Sequence, residues 1–546
     1  MLALNLLLLV AIAIFACTIK ADVYDELGES TFRSSKNILF AATLGGSSHS
    51  SWVARLLNEL TLRGHRVTYA ATDTQMKYTE PYPHIDTEDL GGGFWVKLNA
   101  HNRTFPRPWN DFKNEININT ENYGKIYTRI QQIMSVNSFD VIICDQFSTE
   151  CSDAARISGI PSIQTMVMNL SPDSFAPYIN KCRILLGETT TEHMSLPYRF
   201  YKKFMFPIAA HWHLGEAREK FRQKRMELTG DMAPPADPAR NSLKIVNNFY
   251  GIEEARPMGP LVEMIGPIYN AVYDPLPPSI KDFLDKHERV VFVAFGQHAS
   301  AKPFDTKRIL EELLSLVESN LIDGIVWGVV KSSAGLPDTV TTKSGRTYDI
   351  KDLWEDEKHP NVRLLPWAPQ FAILNHPSVI TFLSHGGGMS IFEALYAGKR
   401  TVIKPFFGDQ PGHALHFERE QLGGYLKLAE PEAFETLRRV IEDKDGTIQN
   451  NIKRYQALVQ IRAKHAVTRG ADLVEEVIFT SVNGHLPHRL DVARRLSYLK
   501  ANDYDLGLCL AAIILGLGLT TRFVYLRMKN HYQRGQSQQQ HKSKQM

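Results

Sequence analysis

An alternation of buried-strand and helix patterns, starting near residue 36, restricts the fold more than any other feature of this sequence. Lys36 to Ala42 (KNILFAA) reads as a fully buried strand, followed by a loop from Thr43 to Ser51. The next segment places Val53, Leu56, Leu57 and Leu60 on one helical face and stops at Gly64. Arg66 to Ala71 (RVTYAA) is the second strand. Two strands joined through a helix must pair in parallel, with helices covering the sheet. The pattern returns at Phe139 to Cys144 (FDVIIC) and in a helix after Ser152. No GxGxxG follows the first strand, so a dinucleotide fingerprint is missing where one would be expected.

A stretch rich in proline, Pro257 to Pro278, separates this half from a second series. There Arg289 to Phe295 (RVVFVAF), Ile325 to Val330, Ile380 to Ser384 and Thr401 to Ile403 read as strands. A chain of 546 residues exceeds one ordinary core. The expected architecture is α/β: two doubly wound, Rossmann-like domains facing across a cleft, at residues 22–256 and 285–484, joined by a linker at 257–284. Ligands should sit beyond the carboxyl ends of the strands. The 62 basic and 59 acidic residues nearly cancel, which gives no electrostatic reason to expect nucleic acid.

Both ends are apolar. Leu2 to Ala16 is interrupted only by Asn5, and small residues follow, so residues 1–21 read as a signal peptide or, without cleavage, an anchor. Residues 506–526 are expected to form one transmembrane helix, and 527–546 a basic cytosolic tail after Arg522 and Arg527. Residues 485–505 read as an amphipathic juxtamembrane segment, with Leu490, Ala493, Leu496 and Leu499 on one side. The body would then be lumenal, and Lys542 and Lys544 have the spacing of an endoplasmic-reticulum retrieval signal. Asn102 and, less favourably, Asn169 lie in glycosylation sequons. Cys144, Cys151 and Cys182 are too few for a disulfide framework, and no CxxC pair suggests zinc.

Chemistry concentrates in WAPQFAILNHPSVITFLSHGGGMSIFEALYAGKRTVIKPFFGDQ, from Trp367 to Gln410. Trp367 offers a face on which a base can stack, and Gln370 can bond its edge. A strand delivers His385, Gly387 and Gly388 to a helix start, where backbone N–H groups favour phosphate. Glu393 lies two turns into that helix and can accept from ribose hydroxyls; Asp409 and Gln410 can meet sugar hydroxyls. A base platform, phosphate cradle and hydroxyl acceptors in chain order describe a nucleotide-sugar site.

This segment resembles the donor-binding signature of the family-one UDP-glycosyltransferases, with S-H-G-G-x-x-S-x-x-E running from Ser384 through Ser390 to Glu393. Val246 to Pro260 and Ile265-Gly-Pro267 are similar to the family as well. The resemblance implies the two-domain GT-B fold, a UDP-sugar co-substrate, no further cofactor and no metal. It implies that Trp367 stacks uracil, Gln370 borders the base or ribose, His385 binds the diphosphate, and Asp409 with Gln410 holds the sugar. It also implies that His49, in GGSSHSSW, is the general base, oriented by Asp145. The reaction would invert the anomeric centre and glycosylate a small lipophilic acceptor, and assembly as a homo-oligomer is compatible with it. Phe, Tyr and Met residues between Tyr178 and Phe206 are candidates for an apolar acceptor pocket or for core. Met389, where relatives usually have Asn, and Gln297, where they usually have Ser, depart from the pattern. Two rival readings are a sugar-nucleotide epimerase on the same scaffold and a UDP-sugar binder without activity. Asp443 and Asp445 form a DxD, which reads better as a solvated loop than as a metal site.

Overall fold

The computed structural model describes residues 31–43, 46–91, 109–180, 187–270, 272–297, 301–328, 336–354, 359–430 and 433–543. Residues 1–21, Asn102, Cys182 and Lys544 lie outside these, as do the last two residues of the strand expected at Ile325 to Val330. The chain divides into two compact units, 1–487 and 488–546.

The first unit contains two large sheets. Strands β1 Asn37–Ala42, β2 Arg66–Ala71, β3 Asp86–Asp89, β4 Val141–Asp145, β5 Ser162–Met166, β6 Leu243–Val246 and β7 Val262–Met264 form one, in the order β3-β2-β1-β4-β5-β6-β7. Every neighbouring pair is parallel. The second is built from β8 Val290–Ala294, β9 Gly324–Gly328, β12 Val362–Leu365, β13 Val379–Ser384, β14 Arg400–Ile403 and β15 Gly423–Tyr425. Its order is β12-β9-β8-β13-β14-β15, again parallel throughout. A hairpin, β10 Thr339–Thr341 with β11 Thr347–Asp349, stands outside it. The central strands β4 and β8 are buried along their whole length, which explains their unbroken apolar sequence. This is the doubly wound two-domain architecture of the GT-B fold.

Strand order reverses between β1 and β4 in the first sheet and between β8 and β13 in the second. Crevices open beyond the carboxyl ends of strands at such reversals. Residues following β1, β4, β8 and β13 are therefore the ones the fold offers to ligands.

Local starts differ from the sequence expectation. The helix after β1 is Ser47–Leu62, beginning within the expected loop, because the His49 N–H bonds to Gly46 O and Ser51 Oγ reaches back to Ser47 O. The helix after β4 is Thr149–Ser158, starting ahead of Ser152. The Pro-rich stretch contributes the edge strand β7 and a helix, Pro278–Asp285, and so is partly structural. Phe249, Ile252 and Tyr269 enter the core beneath the second sheet.

The 34-residue helix Thr447–Thr480 returns to the first domain and packs along Ser47–Leu62. Gly470 permits the approach, since a Cβ there would lie 2.1 Å from Leu56 Cδ1.

Two expectations about side chains are corrected. Cys144 and Cys151 are joined in a disulfide, with Cα atoms 5.7 Å apart, because the turn after β4 folds the next helix back on the strand end. Asn169 is fully buried, and its side-chain oxygen accepts from Ser171 N and Ser174 Oγ, so it is no glycan acceptor in the folded chain.

In the second unit the helix Tyr504–Ser543 runs past the expected span into the expected tail. Its Tyr504–Gly535 portion is long and apolar enough to cross a membrane. The segment expected at 485–505 is no single amphipathic helix; it breaks into Pro487–Arg489, Val492–Arg495 and Tyr498–Ala501. Asp491 and Ser497 cap the short turns that follow them, and each cap restarts the chain direction.

Candidate functional site

β1 and β4 deliver the first pair of groups. His49 stands in the first turn after β1, and Asp145 is the last residue of β4. Their side chains meet at the strand-order reversal, His49 Nδ1 lying 2.8 Å from Asp145 Oδ2. The Phe147 N–H donates to Asp145 Oδ1 at 3.0 Å, fixing the carboxylate, and the Phe147 ring packs on the imidazole at 4.9 Å. Burial pulls the imidazole pKa down. The charge and hydrogen bond of Asp145 oppose this, Asp409 of the other domain adds to them, and the net result lies above the ordinary value. Phe147 is half exposed, and nothing in the sequence pattern singled it out.

The second group follows β8 and β13. Gly296 has φ +72°, and a Cβ there would sit 2.9 Å from the His385 ring. A Cβ on Gly387 would sit 2.4 Å from His385 Nε2. Only glycine lets both loops close around this imidazole. Gly387 caps the helix Gly388–Tyr396 without a side-chain partner, leaving the first-turn N–H groups directed beyond the strand ends. His413 Nδ1 bonds Gly386 O at 2.8 Å and lies 3.7 Å from Asp409 Oδ2, which ties this turn to the next helix, Gln410–Arg419.

Behind the glycine turn, Gln370 Nε2 donates to Ser390 Oγ at 3.0 Å and to Glu393 Oε2 at 2.6 Å. Burial raises the Glu393 carboxyl to about 7, against the opposing pull of Gln370 and Tyr273. Tyr273 stacks on Phe371 at 4.1 Å, and the Tyr269 hydroxyl bonds Phe392 O at 2.8 Å. Both tyrosines come from the Pro-rich stretch, and their place behind the site was not legible in it. Trp367 is 52% exposed.

The expected residues therefore fall into two clusters: His49 with Asp145 on the first sheet, and Gln370, His385, Gly387, Gly388, Ser390 and Glu393 on the second. Asp409 bears on both. The Gln410 oxygen accepts from the backbone of Phe406 and Phe407, so that oxygen shapes the loop before Asp409. Met389 packs on the core of the second sheet, with Asn247 Nδ2 3.7 Å from its sulfur. Asn247 follows β6 of the first sheet, so the departure at 389 gives the first domain a thioether sulfur to which this amide donates. Nothing in the structure explains Gln297. Asp443 and Asp445 accept backbone N–H groups at the start of the helix Thr447–Thr480 and act as caps. Among the described residues no three His, Cys, Asp or Glu side chains converge as a metal site.

Known proteins resemble this chain in sequence and in fold. The family model described as "UDP-glucoronosyl and UDP-glucosyl transferase" matches residues 128–460. A UDP-glycosyltransferase of Talaromyces amestolkiae is 24% identical over 88% of this chain and 95% of its own. UDP-glycosyltransferase 1 of Phaeomoniella chlamydospora is 30% identical over 60% of this chain and 67% of its own. Mouse UDP-glucuronosyltransferase 3A1 is 25% identical over 71% of each chain. Among solved structures, the kitacinnamycin glycosyltransferase superposes with a TM-score of 0.58 at 17% identity, covering 82% of this chain and all of that one. A UDP-glucosyltransferase of Polygonum tinctorium superposes with a TM-score of 0.55 at 17% identity, over 83% and 100%. The chain belongs to the UDP-glucoronosyl and UDP-glucosyl transferase family and is an enzyme that transfers a sugar from a UDP-sugar.

Proposed function

We propose that the chain catalyses inverting transfer of a glucosyl or glucuronosyl group from a UDP-sugar to a hydroxyl of a small lipophilic acceptor, with His49 as general base. The observation that carries this is the buried His49–Asp145 pair at the β1/β4 reversal, with Asp409 of the donor domain close enough to act on the same imidazole. Asp145 holds Nδ1, leaving Nε2 to take the acceptor proton as its oxygen attacks the anomeric carbon. The bond from that carbon to the diphosphate oxygen breaks, and its electron pair leaves with UDP. His385 and the N–H groups after Gly387 offset the charge that develops there. Trp367 carries the uracil, Glu393 the ribose and Asp409 the transferred sugar. The half-exposed Phe147 ring gives an apolar wall beside the base, which suits a lipophilic acceptor.

The same reading anchors the chain in the endoplasmic-reticulum membrane through Tyr504–Gly535, with the catalytic body lumenal. The Cys144–Cys151 disulfide favours an oxidising compartment. The test is incubation of the full chain with UDP-glucose or UDP-glucuronic acid and a panel of lipophilic alcohols and phenols. Acceptor-dependent UDP release with a glycoside of inverted configuration is expected. Interconversion of the donor sugar without acceptor, or donor binding with no turnover, would overturn the reading.

A further inference from the structure

After the edge strand β7 the chain passes from the first domain into the second, and its backbone is fastened on the way. The Ile265 N–H donates to Val246 O at 3.0 Å and the Gly266 N–H to Asn248 O at 3.1 Å. A Cβ on Gly266 would lie 2.5 Å from the Asn247 carbonyl carbon, so only glycine lets these two backbones touch. The Ile268 N–H donates to Oδ1 of the buried Asn247 at 2.7 Å. From the other side Arg462, on the helix Thr447–Thr480, donates to Met264 O at 2.7 Å and to Gly266 O at 3.0 Å. A backbone held at so many points presents the next residue in one place.

That residue is Tyr269, and it bonds both domains. Its carbonyl oxygen accepts from Arg55 Nη1 at 2.8 Å, and Arg55 stands on Ser47–Leu62, the helix that carries His49. Its hydroxyl donates to Phe392 O at 2.8 Å, one residue before Glu393 on the helix Gly388–Tyr396. The ring is 6% exposed and meets Tyr396 edge-on at 5.1 Å. Burial raises the phenol pKa, so the hydroxyl keeps its proton and remains a donor. Transfer needs the anomeric carbon, held by one domain, within reach of an acceptor oxygen beside His49 on the other. A misplacement of about 1 Å between such partners can cost roughly 10²-fold in rate.

We propose that Tyr269 is a positioning residue for the transfer reaction, a strut that sets the separation between the His49 helix and the Glu393 helix. The inference rests on the assignment of His49 as base. With the strut cut, the domains are free to part, and Asp409 then supports the charged His49 imidazole less, while Asp145 on the same domain is unaffected.

The test compares the full chain with Tyr269→Phe, which keeps the ring and removes only the hydroxyl, with Arg55→Met, and with both together. Acceptors come from the panel above. Tyr269→Phe should lower kcat roughly tenfold and leave UDP affinity, measured by calorimetry, within about twofold of the parent. With donor saturating, the acid limb of kcat/KM for the acceptor should move to lower pH. Arg55→Met should behave alike, and the double variant should lose little more than the worse single one, because both cut one connection. An unchanged kcat in Tyr269→Phe, losses that multiply in the double variant, or UDP affinity that falls as far as kcat would overturn the proposal. His49→Ala is assayed beside them. Full activity there removes the base assignment, and the strut is still judged by the coupling of the two substitutions.

Discussion

Gln370 and Glu393 are joined by a 2.6 Å hydrogen bond, from amide Nε2 to carboxyl Oε2, at the place where a ribose is proposed to bind. Burial holds this carboxyl at about 7, so it titrates near neutrality in the ligand-free enzyme. A carboxylate accepts from ribose hydroxyls more strongly than a neutral acid does. Donor KM should therefore rise as pH falls through about 7, and Glu393→Gln should flatten that dependence. The same substitution should raise KM roughly tenfold, corresponding to about 1.5 kcal/mol for a hydrogen bond to a charged group. Folding responds in the opposite sense. Because the folded pKa is raised, this group's contribution to stability is complete below the unfolded value of 4.5 and is lost as pH rises through about 7. Glu393→Gln should thus raise the melting temperature of the ligand-free protein at alkaline pH and change it little at acid pH.

The His49–Asp145 pair makes a kinetic prediction. His49→Ala should lower kcat by roughly 10²–10⁴-fold while UDP affinity is kept, as calorimetry would show. The base acts when neutral, so kcat/KM should fall as pH drops through an apparent pKa above 6.5. Asp145→Asn removes the charge that raises this value, and the acid limb should move to lower pH with a reduced plateau. A limb that stays in place would assign the titration to another group.

Trp367 gives a third. With about half its surface exposed, it is available for stacking before any ligand arrives. Trp367→Ala should weaken UDP binding by about 1–3 kcal/mol, the usual worth of one base–aromatic stack, while Trp367→Phe keeps most of it. Titration calorimetry with UDP alone measures both, and an unchanged affinity for the alanine variant would place the base elsewhere.

What the sequence made legible follows its periodicities. Parallel strands buried on both faces read as short apolar runs, so β1, β2, β8 and β13 were found within a residue or two of their ends. The spacing of His385, Ser390 and Glu393 fixed a strand, a glycine turn and a helix, and these are the elements that hold them. Pairings between distant segments leave no such trace. Nothing local in the Pro-rich stretch says that Tyr273 will stand behind Glu393, or that Asn247 will face Met389. The Cys144–Cys151 bond was missed because the count of cysteines was weighed without the turn that brings the two together. Phe and Tyr residues near 200 were read by type alone. Tyr198, Phe200, Tyr201 and Phe204 stand largely exposed and are not core. Without the helix phase, an outward face and a pocket lining look the same.

The return of the helix Thr447–Thr480 to the first domain supports a final prediction, about stability. Glu475 is the hub of that contact: Arg33 Nε and Arg63 Nη1 each lie 2.6 Å from its oxygens, and His65 Nε2 lies at 3.1 Å. Burial raises this carboxyl, but the bonds from Arg33, His65 and Arg63 outweigh it and hold the group at about 2. A depressed folded pKa contributes stability above the unfolded value of 4.5, and that contribution is lost as pH falls toward 2. Glu475→Gln keeps the shape and removes the charge, leaving the buried His65 and the partly buried Arg63 with a weaker acceptor. About 3 kcal/mol should be lost at neutral pH, in the range for breaking one side of a buried ion pair, and much less near pH 3. Urea unfolding at the two pH values measures the difference. An equal loss at both would mean that Glu475 acts through packing, and that its charge does not join the long helix to the first domain.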